Sequence, residues 1–136
     1  YEKYPSMEEH PSRGNKILKK KGYPESITRA IMGHATYSGI PRDSDMAKAL
    51  FAVDELTGFI FAVTYVRPSK SIFEVKPKSV KKKLKQKSFA ASVLREDIIQ
   101  SVEELGVDLT EHIQFVIDAL KEKADELGLK GSIETI

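Results

Sequence analysis

Residues 46–65 constrain the fold more than any other part of this chain. Only three of these twenty residues are charged, and apolar side chains occupy most sides of the helix that they would form. Asp43 or Ser44 is placed to cap its first turn, and Pro68 ends it. Because such a helix is stable only when other elements cover it, these residues predict a central helix in a helical protein.

The rest of the chain divides into further helices at local start and stop signals. The signals are capping boxes that begin at Ser6, Ser71 and Asp108, the prolines at positions 24 and 77 that suit a first helical turn, and Gly22, which ends a helix. They predict helices over about residues 6–22, 24–34, 77–91, 96–105 and 108–127, a helical turn over 71–74 and a loop over 36–42. Only residues 59–66 could instead form a strand. We expect an all-α fold of six or seven helices.

Length and composition restrict the class of protein. At 136 residues the chain is predicted to be one domain, residues 1–136, that can bury a core. It contains no cysteine, which excludes disulfides and thiolate metal sites. The longest apolar run, residues 59–66, is too short to span a bilayer. We therefore expect a cytoplasmic protein that does not enter the membrane.

The net charge of +2 conceals an uneven distribution along the chain. Residues 75–95 contain seven lysines, one arginine and no acid, whereas residues 96–136 contain eleven acids and three lysines. A basic segment followed by an acidic one indicates either mutual pairing or a charged surface with a function of its own.

Two of the three histidines and one aspartate are candidates for a metal site. His10 and His34 lie in the first quarter of the chain, and Asp54 follows within the apolar helix. Such side chains on successive helices can converge in a helical core, which is how helical proteins bind divalent metals. Plainer interpretations remain open: His10 as a cap or surface residue, His34 as a core histidine bonded to the backbone, and Asp54 as a paired core acid.

Asp54 and His112 receive opposite interpretations from their neighbours. Leu50 and Phe51 lie one turn before Asp54, and a carboxylate on such a face is costly unless it is paired or bound to a cation. His112 follows Glu111 in an acidic helix, and we interpret it as a solvated residue and not as a ligand.

Eight short segments along nearly the whole chain share motifs with one protein family. They are residues 1–5, 9–11 (Glu-His-Pro), 22–25, 33–35 (Gly-His-Ala), 41–43, 47–58, 66–70 and 76–87. In these segments the chain resembles the HD-domain superfamily of metal-dependent phosphohydrolases, and within it a group of small bacterial and archaeal hydrolases. The resemblance implies an HD-domain-like helical bundle.

The resemblance also implies roles for the three candidate ligands. His10 and His34 would belong to a second metal and Asp54 to the first, with His34 and Asp54 as the catalytic residues. Imidazole and carboxylate ligands suit Mn²⁺, Fe²⁺, Zn²⁺ or Mg²⁺.

The chain departs from the family pattern in one respect. The superfamily is named for a His-Asp dyad, and no His-Asp dipeptide occurs in these 136 residues. In the family the dyad would lie just before Tyr1. We therefore expect the domain to be incomplete at its N-terminus and to expose an apolar face through which it could form a homodimer.

Basic residues after the central helix are candidates for substrate binding. Arg67 and Lys70 directly follow that helix, and Lys87 ends a run of seven lysines over residues 76–87. They could contact a phosphate, Arg67 by bidentate hydrogen bonds. The run could instead be a solvated helix face that the acidic segment neutralises. Nucleic acid is the less favoured partner, because Phe89 is the only aromatic residue near the run.

Two functions follow from these observations. The leading one is a metal-dependent phosphohydrolase that acts through metal-activated water on a small phosphorylated substrate, such as a nucleotide or phosphate ester. The alternative is a non-catalytic nucleotide- or RNA-binding helical module that uses residues 76–87.

Overall fold

The computed structural model describes residues 2–131 and contains α-helices and short 3-10 turns but no β-strand among them. The prediction of an all-α fold is confirmed. The helices are α1 (Ser12–Lys20), α2 (Glu25–Gly33), α3 (Asp45–Tyr65), α4 (Pro77–Leu84), α5 (Arg95–Leu105), α6 (Leu109–Glu122) and α7 (Ala124–Leu127), with 3-10 turns at Thr36–Ser38 and Ile72–Glu74. The chain divides into two compact units between Ala52 and Val53, inside α3.

In the first unit α1 packs against α2. The predicted start of α1 at Ser6 is wrong: Ser6 does donate to the Glu9 carboxylate at 3.3 Å, but the helix begins after Pro11. Proline suits a helix start because its missing N–H needs no partner there. Gly22 ends α1 as predicted, at a positive φ of 85° that glycine adopts without strain.

The start of α3 is secured by two polar contacts. The Ala47 amide donates to Ser44 Oγ at 3.1 Å, so Ser44 is the cap rather than Asp43. Asp43 instead accepts two hydrogen bonds from Arg29 of α2, at 2.9 and 3.2 Å. The pair therefore ties α2 to the residues that precede α3.

The second unit is built around one apolar core. Within it, α6 packs against α4, α5, α7 and the second 3-10 turn. Residues 59–66 do not form a strand, because α3 continues to Tyr65 and buries Phe59, Ile60 and Val63 in this core. The predicted caps of the later elements are confirmed: Ser71 accepts from the Phe73 amide and Asp108 from the Glu111 amide.

Two predicted helices end earlier than expected. α4 stops at Leu84 instead of near residue 91, and turns occupy most of the segment up to α5. The predicted last helix is interrupted at Lys123, whose φ of −117° lies outside the helical range, so α7 is a separate short helix. No local sequence signal predicted the early end of α4 or the break at Lys123.

No helix in the described part of the chain is both long enough and apolar enough to cross a membrane.

Candidate functional site

The first unit brings His10 and His34 into contact. The two Nε2 atoms lie 3.2 Å apart, and the ring centres are 5.2 Å apart in an edge-on arrangement. His10 lies in the turn before α1 and His34 is the C-cap of α2, and both side chains are half-buried. A short connection joins the two helices, so the start of α1 meets the end of α2.

A backbone contact sets the orientation of the His34 ring. Its Nδ1 makes a short hydrogen bond to the carbonyl oxygen of Ile31, one turn earlier in α2. Because a carbonyl only accepts, Nδ1 carries the proton and the lone pair of the neutral ring is on Nε2, facing His10. Metal-binding histidines are commonly held in this way, through the ring nitrogen that does not bind the ion.

The segment that carries His10 is held by Tyr37. The hydroxyl of Tyr37, in the first 3-10 turn, donates to the main-chain oxygen of His10 at 2.6 Å. The residues after α2 thereby position the residues before α1.

The separation of the two Nε2 atoms suits two kinds of occupant. Two imidazole nitrogens bound to one tetrahedral cation, each about 2.0–2.1 Å from it, are about 3.3 Å apart. The same distance permits a hydrogen bond that His10 Nε2–H donates to the lone pair of His34 Nε2. The pair can therefore hold either a proton or a divalent cation between its rings.

Arg42 contacts Gly33, the residue before His34, and the sequence interpretation gave it no role. Its Nη1 donates to the Gly33 carbonyl oxygen at 2.8 Å, and its guanidinium lies 3.7 Å from the centre of the Phe51 ring. A Cβ at position 33 would lie only 3.1 Å from Arg42 Cγ, so glycine leaves room for this side chain next to His34. The only sequence feature that could have indicated this contact is the glycine at position 33, directly before His34.

Asp54 does not lie on an apolar face as its neighbours suggested. It projects from α3 in the second unit and is exposed to solvent, so the argument that burial demands a partner for it is wrong. Among residues 2–131, no three side chains of His, Cys, Asp or Glu are grouped so as to hold a metal ion. The assignment of Asp54 as a ligand stays a prediction.

The predicted phosphate-binding residues occupy different places in the second unit. Arg67 is half-buried, and its Nε has no hydrogen-bond partner within the described residues. Lys70 is exposed. Lys87 alone of the three lines a cleft of about 510 Å³ between the end of α4 and the start of α5. The cleft residues are Leu84, Lys85, Lys87, Ala91, Val93, Leu94, Arg95, Glu96 and Asp97.

Within residues 2–131, the lysines of residues 76–87 are not paired with the carboxylates of the acidic segment. In the described part of the chain none of the seven forms an ion pair. Phe89 is partly buried beside them, because it packs edge-on against Phe59 at 5.6 Å and Lys83 lies over it at 4.9 Å. The interpretation of this run as a mutually paired surface is therefore wrong for residues 2–131.

His112 is buried, which corrects its interpretation as a solvated residue. Only 6% of it is exposed, and its ring stacks on Phe115 with a centroid distance of 6.5 Å. It lies on the face of α6 that also buries Ile113, Val116 and Ile117, where the helical repeat outweighs the acidic neighbours.

No protein-family model, curated protein or solved structure matches this chain. The family assignment made from the sequence motifs therefore stays a prediction.

Proposed function

We propose that this chain belongs to a metal-dependent phosphohydrolase in which His10 and His34 contribute two ligands to a divalent cation. The observation that carries the proposal is the 3.2 Å approach of their Nε2 atoms, with the His34 ring held through Nδ1 by the Ile31 carbonyl. The two nitrogens fit neighbouring positions around one ion, and further positions are left for water, substrate or another protein ligand.

A bound divalent cation supplies two things to phosphoester hydrolysis: it activates a water and it polarises the phosphoryl oxygens. In this proposal the chain's own residues bind and orient. Tyr37 and Ile31 hold the two histidines, and Asp54 stays the predicted ligand of a first metal, apart from the ion of the histidine pair. The expected substrate is a small phosphate ester or nucleotide whose phosphate is attracted by Arg67, Lys70 and Lys87. Mn²⁺, Fe²⁺, Zn²⁺ and Mg²⁺ all suit imidazole and carboxylate ligands.

Metal binding is tested first, by calorimetric titration of the 136-residue chain with Mn²⁺ and Zn²⁺. His10→Gln and His34→Gln should each weaken binding by about tenfold or more. His112→Gln is the matched control, because it removes the third histidine of the chain without touching the pair. Circular dichroism should show that each variant is folded. Wild-type affinity in both His10 and His34 variants would refute the metal site.

Hydrolysis is tested separately, by phosphate release from nucleotides and sugar phosphates with and without Mn²⁺, using the complete gene product. Asp54→Asn should abolish metal-dependent release, and Asp45→Asn, an exposed acid at the start of the same helix, should not. A protein that binds metal at the histidine pair but releases no phosphate across the panel would retain the site and exclude the hydrolase.

A further inference from the structure

Four lysines form a continuous stripe on the outer face of α4 and the residue that follows it. Lys78, Lys81, Lys82 and Lys85 are spaced by three, four and seven residues from the first, so they share one side of the helix. All four are exposed, whereas the opposite side buries Val80 in the core. We refer to these four residues as the lysine stripe.

The lysine stripe has no carboxylate partner in direct contact among the described residues. Lys81 donates to the hydroxyl of Thr110 at 3.0 Å, and within residues 2–131 no member of the stripe forms an ion pair. The first turn of α4 also contains no acid. Like charges at these spacings destabilise a helix, and a bound polyanion would relieve that repulsion.

The stripe continues into the cleft at the end of α4. Lys85 belongs to both, and Lys87 lies beside it on the cleft wall. The remaining lining combines an apolar part formed by Leu84, Ala91, Val93 and Leu94 with Arg95 and the carboxylates of Glu96 and Asp97. At about 510 Å³ the cleft has room for a nucleobase with its sugar.

The two halves of this surface match the two halves of a nucleotide. Lysine ammonium groups bind phosphates as point charges, while carboxylates accept hydrogen bonds from the exocyclic amino groups of bases. The apolar wall provides contact for the face of a base in place of an aromatic side chain. A base can enter such a cleft only when it is unstacked, which a single strand permits and a duplex resists.

We propose that the lysine stripe and the adjoining cleft bind a single-stranded nucleic acid, with phosphates along the stripe and one base in the cleft. The inference uses residues of the second unit alone. It does not involve the histidine pair, and it shares only Lys87 with the residues proposed to attract the phosphate of a hydrolase substrate.

The test is fluorescence anisotropy of the full 136-residue chain with labelled strands of about 12 nucleotides, from about 50 to 200 mM salt. A variant with all four stripe lysines changed to glutamine should bind at least about tenfold more weakly and lower the slope of log K against log salt by about 3. The matched control changes the exposed Lys16, Lys19, Lys20 and Lys21 to glutamine and should bind like the wild type. Each single stripe replacement should lower the slope by about 0.7.

The strands themselves discriminate among partners. RNA and DNA strands of one sequence share the phosphates and bases that the proposal needs, so binding of either supports it, and their ratio reports contacts to the 2′-hydroxyl. A duplex, and a strand with the same phosphates but abasic positions, should both bind more weakly. Equal binding of the abasic strand would overturn the role of the cleft. Equal losses in the stripe and control variants, or none in either, would overturn the whole proposal.

Discussion

The guanidinium of Arg95 lies 5.0 Å from the centre of the Phe59 ring, and its nitrogens donate to carbonyl oxygens rather than to a carboxylate. The acceptors are the main-chain oxygens of Leu84, Gln86, Phe89, Ala90 and Val93. Arg95 thus ties the turns between α4 and α5 to the core. Because the donors of Arg95 are engaged, the cationic donors that the cleft offers a ligand are those of Lys85 and Lys87, beside the carboxylates of Glu96 and Asp97.

Replacing Arg95 by lysine should destabilise the protein. Lysine keeps the charge but cannot direct several donors at separate carbonyls, and the expected loss is roughly 1–3 kcal/mol of unfolding free energy. Urea denaturation measures it. Arg13→Lys, at an exposed arginine whose carboxylate partner is 3.9 Å away, is the control and should change stability little. Equal effects of the two changes would contradict a stabilising role for the hydrogen bonds of Arg95.

Two adjacent isoleucines of α5 should respond differently to the same substitution. Ile98 is 2% exposed and belongs to the core of the second unit, whereas Ile99 is 45% exposed. Ile98→Ala should lower the unfolding free energy by about 2–5 kcal/mol, because it removes buried methyl groups and leaves a cavity. Ile99→Ala should cost about 0.5 kcal/mol or less. Thermal or urea unfolding of both variants gives the comparison, and similar losses would show that α5 is rotated from the orientation described.

The ion pair between Arg29 and Asp43 should make stability depend on pH. The hydrogen bond from Arg29, together with its charge, lowers the pKa of the Asp43 carboxyl below its usual 3.8. A carboxyl whose folded pKa is lowered contributes stability above the unfolded value and loses it as the pH falls through the folded value. Asp43→Asn should therefore lower the melting temperature slightly at pH 7, and the difference should shrink as the pH falls below the usual 3.8 of the carboxyl and through its lowered folded pKa.

The comparison is thermal unfolding of the wild type and of this variant across that pH range. Arg29→Gln should reproduce the effect of Asp43→Asn, because either change breaks the same pair. The effect should be small, since both side chains are largely exposed. If the difference in melting temperature between wild type and variant persisted unchanged in acid, its cause would not be the ionisation of this carboxyl.

Local sequence signals predicted most of the helices because their causes are local. A cap such as Ser71 or Asp108 binds an amide two or three residues away, and Gly22 ends α1 through its own φ. The long apolar helix was predicted over residues 46–65 and observed as Asp45–Tyr65 for the same reason.

Burial was predicted less well. Asp54 was expected on an apolar face and His112 in solvent, and the structure shows the reverse. The identity of flanking residues does not report which side of a helix meets its neighbours. That choice depends on the packing of whole helices.

The sequence by itself determined that this chain is helical, where most helices begin, and that two histidines precede a long apolar helix, because these properties depend on residues within a turn or two of each other. Only the tertiary structure decided that His10 meets His34, that α4 ends at Leu84 and that the lysines of α4 form no ion pairs with other residues of the described range 2–131. These outcomes involve groups far apart in the chain or on different elements. Their geometry is set by how the helices pack, which no local pattern encodes.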